Sequence, residues 1–266
     1  MKKVYNSNGN YYKIYNKDCL IQMKKIKDKS IDLILCDLPY GTSACAWDTV
    51  IPFKKLWKQY KRIIKDTGVI ALFGVEPFSS YLRMSNMEMY KYDWIWEKSK
   101  GANFLNLKYQ PNKIHELISV FSKSASSFST KGNMNYYPQM EKGKPYVSKC
   151  GQGTGKERDV SETANIRSKL VKTENINFGT RYPKSIIKFD SDIDKYHPTQ
   201  KPVKLLEYLI KTYSNENDLV LDNTMGSGST GVACINLKRN FIGMELEKKY
   251  YKIAKKRLEE NIISLF

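Results

Sequence analysis

Six short apolar runs punctuate the chain: SIDLILC at 30–36, GVIALF at 68–73, YDWIWE at 92–97, ELISVFS at 116–122, DLVLD at 218–222 and NFIGME at 240–245. Runs this short, rich in Ile, Leu and Val, predict strands buried on both faces, the habit of a parallel sheet. Between them, apolar residues recur three and four apart in FKKLWKQYKRII (53–64), EPFSSYLRMSNM (76–87), PVKLLEYLIKTY (202–213), STGVACINL (229–237) and EKKYYKIAKKRLEENI (247–262). That period predicts helices. Strand and helix alternate, so the expected fold is α/β, a doubly wound, mostly parallel sheet with helices on both faces.

The alternation stops between about 122 and 184, where SKSASSFSTKGNMNYYPQ and CGQGTGKERDVSETANIRSK are polar and rich in Gly and Ser. A structureless loop of that length does not suit a compact domain, so an insertion or mobile arm is expected. The chain therefore divides into 1–121, an insertion at 122–190, and 191–266. A solvated linker is one reading of the insertion. Between 122 and 184, twelve Lys or Arg against five Asp or Glu, interleaved with Tyr136, Tyr137, Tyr146 and Tyr182, suit a nucleic-acid surface better.

The whole chain of 266 residues carries a formal charge of +18, with 45 Lys and Arg against 27 acids. Part of that excess can reflect genomic base bias, and the rest points to a polyanionic partner. No long apolar run, basic amphipathic anchor or lipidation signal favours a membrane, and MKKVYNSNGNYYKIYN lacks the apolar core of a signal peptide. A cytoplasmic, DNA-associated protein is expected. Five scattered cysteines and two histidines lack metal-ligand spacing, so reduced thiols and no metal are expected.

Two segments carry candidate chemistry. DLPYGTSACAWD (37–48) sets an acid, a proline and an aromatic ring at the end of the first strand. In LVLDNTMGSGSTGVACINLKRNFIGMELE, a strand reaches Asp222, a turn follows at Gly226, Ser227 and Gly228, and Ser229 opens a helix. Such a turn lets backbone approach a ligand, and Glu245 ends the next strand at the spacing that reaches a ribose. The turn lacks the GK[ST] of a P-loop and is not GxGxxG, so an adenosine-containing ligand without phosphates fits best.

DLPY with DNTMGSGST resembles the amino-group DNA methyltransferases, which carry a DPPY-type tetrad and a DPFxGSGT-type loop for S-adenosyl-L-methionine. The tetrad precedes the loop by about 185 residues, an order similar to the β group, with target recognition between the two. HPTQKP (197–202), NKDCL (16–20), WEKSKGANF (96–104) and HELISVFSK (115–123) extend the likeness over most of the chain outside the insertion. Leu38 stands where Pro is usual, Asn223 and Thr224 replace Pro and Phe, and Ser229 replaces Thr.

The resemblance implies a catalytic half at 1–121, target recognition at 122–190 and a cofactor-binding half at 191–266. It places Asp37, Leu38, Pro39 and Tyr40 in catalysis. Asp37 and the Leu38 carbonyl would accept the two N–H groups of an exocyclic amine, localising its lone pair. Pro39 would fix the backbone, and Tyr40 would stack on a base extruded from the duplex. For the cofactor it implies Asp222, Met225, Gly226, Ser227, Gly228 and Ser229 at the methionine moiety, Glu245 at the ribose, and Asp18 with Cys19 near the adenine. Met225 or Phe241 would replace the missing Phe. Lys201 would pair with the cofactor carboxylate and Thr199 would bond nearby.

Plainer readings stand beside these. Asp18 also suits a helix N-cap, Asp222 and Glu245 a cap and a surface salt bridge, and Thr199 and Lys201 a turn that starts a helix. His197 orients that turn, GTSACAW closes over the base or docks on the core, and His115 with Glu116 starts a strand in a structural role. In the family the chain resembles, serine at this place is associated with cytosine N4, so Asp37 implies adenine N6 in double-stranded DNA. Cytosine N4, an RNA or protein substrate, and a catalytically silent DNA-binding protein are the alternatives. The resemblance leaves room for a homodimer and a cognate restriction endonuclease.

Overall fold

A computed structural model describes residues 4–5, 9–41, 48–101, 103–150, 173–192, 196 and 199–263. The chain forms two compact units, 138–183 and the remainder. In chain order the strands are β1 (Val4–Tyr5), β2 (Tyr11–Asn16), β3 (Ile31–Asp37), β4 (Ile64–Gly74), β5 (Tyr90–Glu97) and β6 (His115–Phe121). Then come the short strands β7 (Glu141–Lys142), β8 (Tyr146–Cys150), β9 (Thr173–Asn177) and β10 (Thr180–Arg181), followed by β11 (Ile186–Lys188), β12 (Leu219–Asp222) and β13 (Asn240–Glu245). Helices are α1 (Cys19–Met23), α2 (Phe53–Ile63), α3 (Phe78–Met84), α4 (Val203–Tyr213), α5 (Ser229–Asn236) and α6 (Lys248–Ile263).

The larger unit is built on one sheet of order β1-β2-β13-β12-β3-β4-β6-β5-β11. Its centre, from β2 to β4, is parallel, whereas β6 runs antiparallel to both β4 and β5. Alternate residues of the central strands feed two cores, as strand geometry requires. Leu33, Leu35, Val220 and Phe241 face α4, α5 and α6; Ile34, Cys36, Leu221 and Ile242 face α1 and α2. Helices therefore cover both faces, the expected doubly wound arrangement.

All six expected strands and five expected helices form, with α3 shorter than the 76–87 expected. The outer strands β1, β2 and β11 were not expected. Position near the sheet margin explains the omission: in β2, Tyr12 and Ile14 are buried while Tyr11, Lys13, Tyr15 and Asn16 are partly exposed, so its apolar signal is diluted.

In the smaller unit β7 pairs with β10 and β8 with β9, both antiparallel. The Arg181 guanidinium lies 4.6 Å from the centre of the Tyr146 ring, and it also donates to the carbonyl of Lys144 and to Asn177. Among the described residues, no helix is long and apolar enough to cross a membrane.

Helix α5 lies close against its neighbours because Gly231 has no side chain. A Cβ there would meet Leu258 at 2.7 Å and Phe241 at 2.8 Å. Gly231→Ala is therefore expected to cost about 1–3 kcal/mol through overpacking, read as a lower denaturant midpoint; an unchanged midpoint would refute the close packing.

Candidate active site

From β3 the chain crosses through α2 to β4 on one side; from β12 it crosses through α5 to β13 on the other. The carboxyl ends of β3 and β12 therefore flank the point where strand order reverses, the place open α/β sheets bind ligands. Parallel pairing of Val220 with Leu33 and Leu221 with Ile34 carries the end of β12 past Leu35, so that the turn after Asp222 runs beside Cys36 and Asp37. Beyond the strands, the Thr224 hydroxyl donates to the Asp37 carbonyl at 2.9 Å and the Asn223 N–H reaches Cys36 Sγ at 3.3 Å. Segments 185 residues apart thus share one rim.

A cleft of about 450 Å³ opens there. It is lined by Asp37 to Tyr40, by Asp18 and Cys19, by Thr199 and Lys201, and by Asp222, Met225, Gly226, Ser227, Ser229 and Glu245. Of the glycine-turn residues expected at the methionine moiety, Gly228 is not on the wall. It caps α5 with φ +83°, and a Cβ there would sit 3.0 Å from that of Ala254 on α6. Its contribution is the turn and the helix contact rather than a surface for ligand.

The glycine turn is held from several sides. Gly226, at φ +52°, donates its N–H to Glu245 Oε2 at 2.9 Å, and the Met225 N–H bonds the Met244 carbonyl at 2.9 Å. Arg257 from α6 donates to the Ser227 carbonyl at 2.8 Å and to the hydroxyls of Ser227 and Ser229, while its guanidinium stacks 4.4 Å from the Tyr196 ring. Gln200 accepts from the Ser227 hydroxyl at 3.2 Å. Neither Arg257 nor Gln200 stood out in the sequence: Arg257 is one cation on a lysine-rich helix, and Gln200 sits inside HPTQKP without an obvious task. Met225 lines the cleft, whereas Phe241 is fully buried beneath it, so the apolar contact expected of one of them falls to Met225.

Each oxygen of the Asp37 carboxylate has a donor. Tyr40 donates its hydroxyl to Oδ1 at 2.5 Å and Lys201 its ammonium to Oδ2 at 2.5 Å. Burial raises the Asp37 pKa; Lys201 opposes that shift and Glu116 adds to it. Burial and the nearby Asp37 carboxylate push the Tyr40 phenol well above its usual value, so it stays protonated and donates. The Tyr40 ring packs 4.9 Å from that of Phe78. Lys201, which also lines the cleft, holds Asp37.

Asp222 sits in a different environment. It is buried, and its bonds come from neutral donors, the Thr224 N–H at 3.0 Å and the Thr230 hydroxyl at 2.6 Å. Burial pushes its pKa up to about 7. Beside it Asn223 Oδ1 accepts from the Tyr60 hydroxyl at 2.5 Å and the Cys36 thiol at 3.0 Å, while its buried Nδ2 has no partner. Burial also raises the thiols of Cys36 and Cys19, the latter to about 11, consistent with unreactive cysteines.

Asp18 caps α1, accepting the Ile21 N–H at 2.9 Å, and also lines the cleft, so both of its sequence readings describe the same geometry. Glu245 accepts from Gly226 and, through Oε1, from the Glu247 N–H at 2.7 Å, its carboxylate held at the cleft edge. His197 and most of GTSACAW (42–47) lie outside the described residues. Among the described residues, no group of three or more His, Cys, Asp or Glu could hold a metal ion.

The sequence profile of the N6/N4 DNA methylase family matches residues 31–256, which span both β3 and the glycine turn. The chain belongs to this family. Among its relatives, Type II methyltransferase M.HinfI of Haemophilus influenzae is 31% identical over 281 residues, covering 91% of this chain and 67% of the relative. A crystal structure of an M1.HpyAVI–SAM complex superposes with a TM-score of 0.59 at 25% identity, covering 93% of this chain and all of that one. The cytosine-N4-specific PvuII DNA methyltransferase superposes with a TM-score of 0.64 at 16% identity, covering 98% of this chain and 92% of that one, a likeness of fold.

S-adenosyl-L-methionine is the methylase's cofactor, and the cleft fits it. A buried carboxylate with only neutral partners, Asp222, complements a cationic ligand, and Glu245 offers acceptors for ribose hydroxyls. The raised pKa of Asp222 has a sign. Between the ordinary aspartate value and about 7 the folded chain holds a proton that the unfolded chain releases, so this group lowers stability as pH rises through that window. A cation in the cleft favours the ionised form. Cofactor affinity is therefore expected to strengthen roughly tenfold from about pH 6 to about pH 8, measured by calorimetry, with Asp222→Asn removing the dependence. Wild-type affinity flat across that range would contradict it.

Proposed function

We propose that the enzyme methylates the exocyclic N6 of adenine in double-stranded DNA, at a base extruded into the cleft. The observation that carries this reading is the Asp37 carboxylate at the end of β3, on the wall that it shares with the glycine turn. An aromatic amine is a poor nucleophile because its lone pair is delocalised into the ring. Asp37 accepts one N–H and the Leu38 carbonyl the other, which favours a tetrahedral nitrogen whose lone pair points into the cleft. Pro39 restrains the backbone between them. Tyr40, its ring already backed by Phe78, offers a face for the base, a contact worth roughly 1–3 kcal/mol. S-adenosyl-L-methionine supplies the electrophilic methyl group when bound. Asp37 need not remove a proton before attack; it holds the amine in place.

Asp37, a carboxylate where serine is associated with cytosine N4, favours adenine. Cytosine N4 is the second reading, since the same two acceptors serve either amine and the fold is shared with a cytosine-N4-specific enzyme. The basic smaller unit, extended to the 122–190 insertion, is the surface we assign to target recognition. Base contacts specify and phosphate contacts position, so the net positive charge of that segment suits the second task. A restriction endonuclease partner agrees with the Type II relative.

Incubation with labelled cofactor and duplex DNA, followed by digestion to nucleosides, is expected to give N6-methyladenine; N4-methylcytosine would select the second reading, and no label in DNA would refute both. Asp37→Ala is expected to lower the transfer rate by at least about 10³-fold with cofactor affinity within about threefold of wild type. Wild-type rates in that variant would overturn the catalytic assignment. The logarithm of DNA affinity is expected to fall against the logarithm of salt with a slope of about −4 or steeper. Replacing exposed Lys142 and Lys144 by Gln should lessen that slope by about 2; an unaltered slope would remove the smaller unit from the binding surface.

A further inference from the structure

Lys201 sits between two carboxylates on different strands. Its ammonium is hydrogen-bonded to Asp37 Oδ2 at 2.5 Å and lies 3.4 Å from Glu116 Oε2, with the rings of Phe73 and Tyr40 at 5.2 and 5.9 Å. Glu116, on β6, is held through its other oxygen by Lys98 at 2.9 Å, and Lys98 lies 5.8 Å from the Trp96 ring. Glu116 Oε2 is buried and has no hydrogen-bond partner. Lys98, Glu116, Lys201 and Asp37 thus form a row of alternating charge in which Glu116 Oε2 makes an ion pair but no hydrogen bond with the ammonium that hydrogen-bonds Asp37.

The unfilled oxygen makes sense if Lys201 moves. When the base amine donates to Asp37, it competes for the carboxylate that Lys201 occupies. An ammonium displaced into this apolar surround with no acceptor would be strongly disfavoured. Closing 3.4 Å to an ordinary hydrogen bond needs a shift of well under about 1 Å. We propose that Glu116 is a positioning residue that receives Lys201 as the target amine takes its place on Asp37, with Lys98 holding Glu116 in readiness. In the resting enzyme Lys201 occupies the carboxylate as the amine will, keeping it ionised and aimed; in the loaded enzyme the same ammonium stays paired, one carboxylate further back. The inference rests on Asp37 as the amine acceptor and is indifferent to whether the amine belongs to adenine or cytosine.

The test is a double-mutant cycle on single-turnover methyl transfer to DNA, with S-adenosylhomocysteine affinity by calorimetry and melting temperature measured alongside. Glu116→Gln is expected to slow transfer roughly 10- to 100-fold, with S-adenosylhomocysteine affinity and melting temperature near wild type. Because Glu116 acts through Lys201, the Glu116→Gln, Lys201→Met double variant should be about as slow as the slower single variant. Glu116→Asp, which keeps the charge but draws it back by one methylene, should lie between wild type and Gln, and it carries the same cycle if Gln does not fold. Losses that multiply, transfer at the wild-type rate in Glu116→Gln, or a slowing matched by lost ligand affinity would overturn the proposal. If Asp37→Ala transferred normally, the parent reading would fail instead; a cytosine product would correct the substrate and leave Glu116 in its role.

Discussion

The pairing of β3 with β12 is the constraint on which the site depends. Two residues of parallel register join segments separated by most of the chain, and everything chemical at the rim follows from that adjacency. Once Leu221 lies beside Ile34, the turn after Asp222 runs along the end of β3, where Thr224 and Asn223 tie it to Asp37 and Cys36. A slip of β12 by one residue would send Val220 and Leu221 to the opposite cores and turn Asp222 away from the cleft. The catalytic geometry is thus secured by burial of aliphatic residues, not by the polar contacts that decorate it.

Within that frame, two aspartates acquire different characters from their neighbours. Asp37 has an ammonium and a phenol, so its charge is supported and its oxygens are aimed. Asp222 has only neutral donors, and burial raises its pKa to about 7. A carboxylate short of positive charge suits a cationic ligand, whereas a carboxylate already supported suits a neutral amine that must be oriented. The division of labour we propose between methyl donor and acceptor corresponds to this difference in electrostatic environment.

Much of this was legible in the sequence because the signals are local. Continuous Ile, Leu and Val runs mark strands buried on both sides, and DLPY and DNTMGSGST announce their turns by residue type. The outer strands were less legible since a strand near the sheet margin such as YYKIYN mixes partly exposed Lys and Asn with buried Tyr and Ile. The roles of Glu116, Arg257 and Gln200 were illegible for another reason. Each gains its meaning from a partner far away in the chain, Lys201 for Glu116 and the 227–229 turn for Arg257 and Gln200, and no spacing rule encodes a contact made by tertiary packing. Lys201 shows the converse: its motif was read, yet its partner is an acid 164 residues earlier.

The central claim is spatial: one cleft presents the methyl donor and the amine acceptor to each other. A crystal structure with S-adenosylhomocysteine bound measures it directly. The account expects the ligand with its amino-acid end against the turn at Gly226, its ribose at Glu245 and its sulfur facing Asp37. Ligand density outside this cleft, or a sulfur turned away from Asp37 with the turn unoccupied, would contradict it.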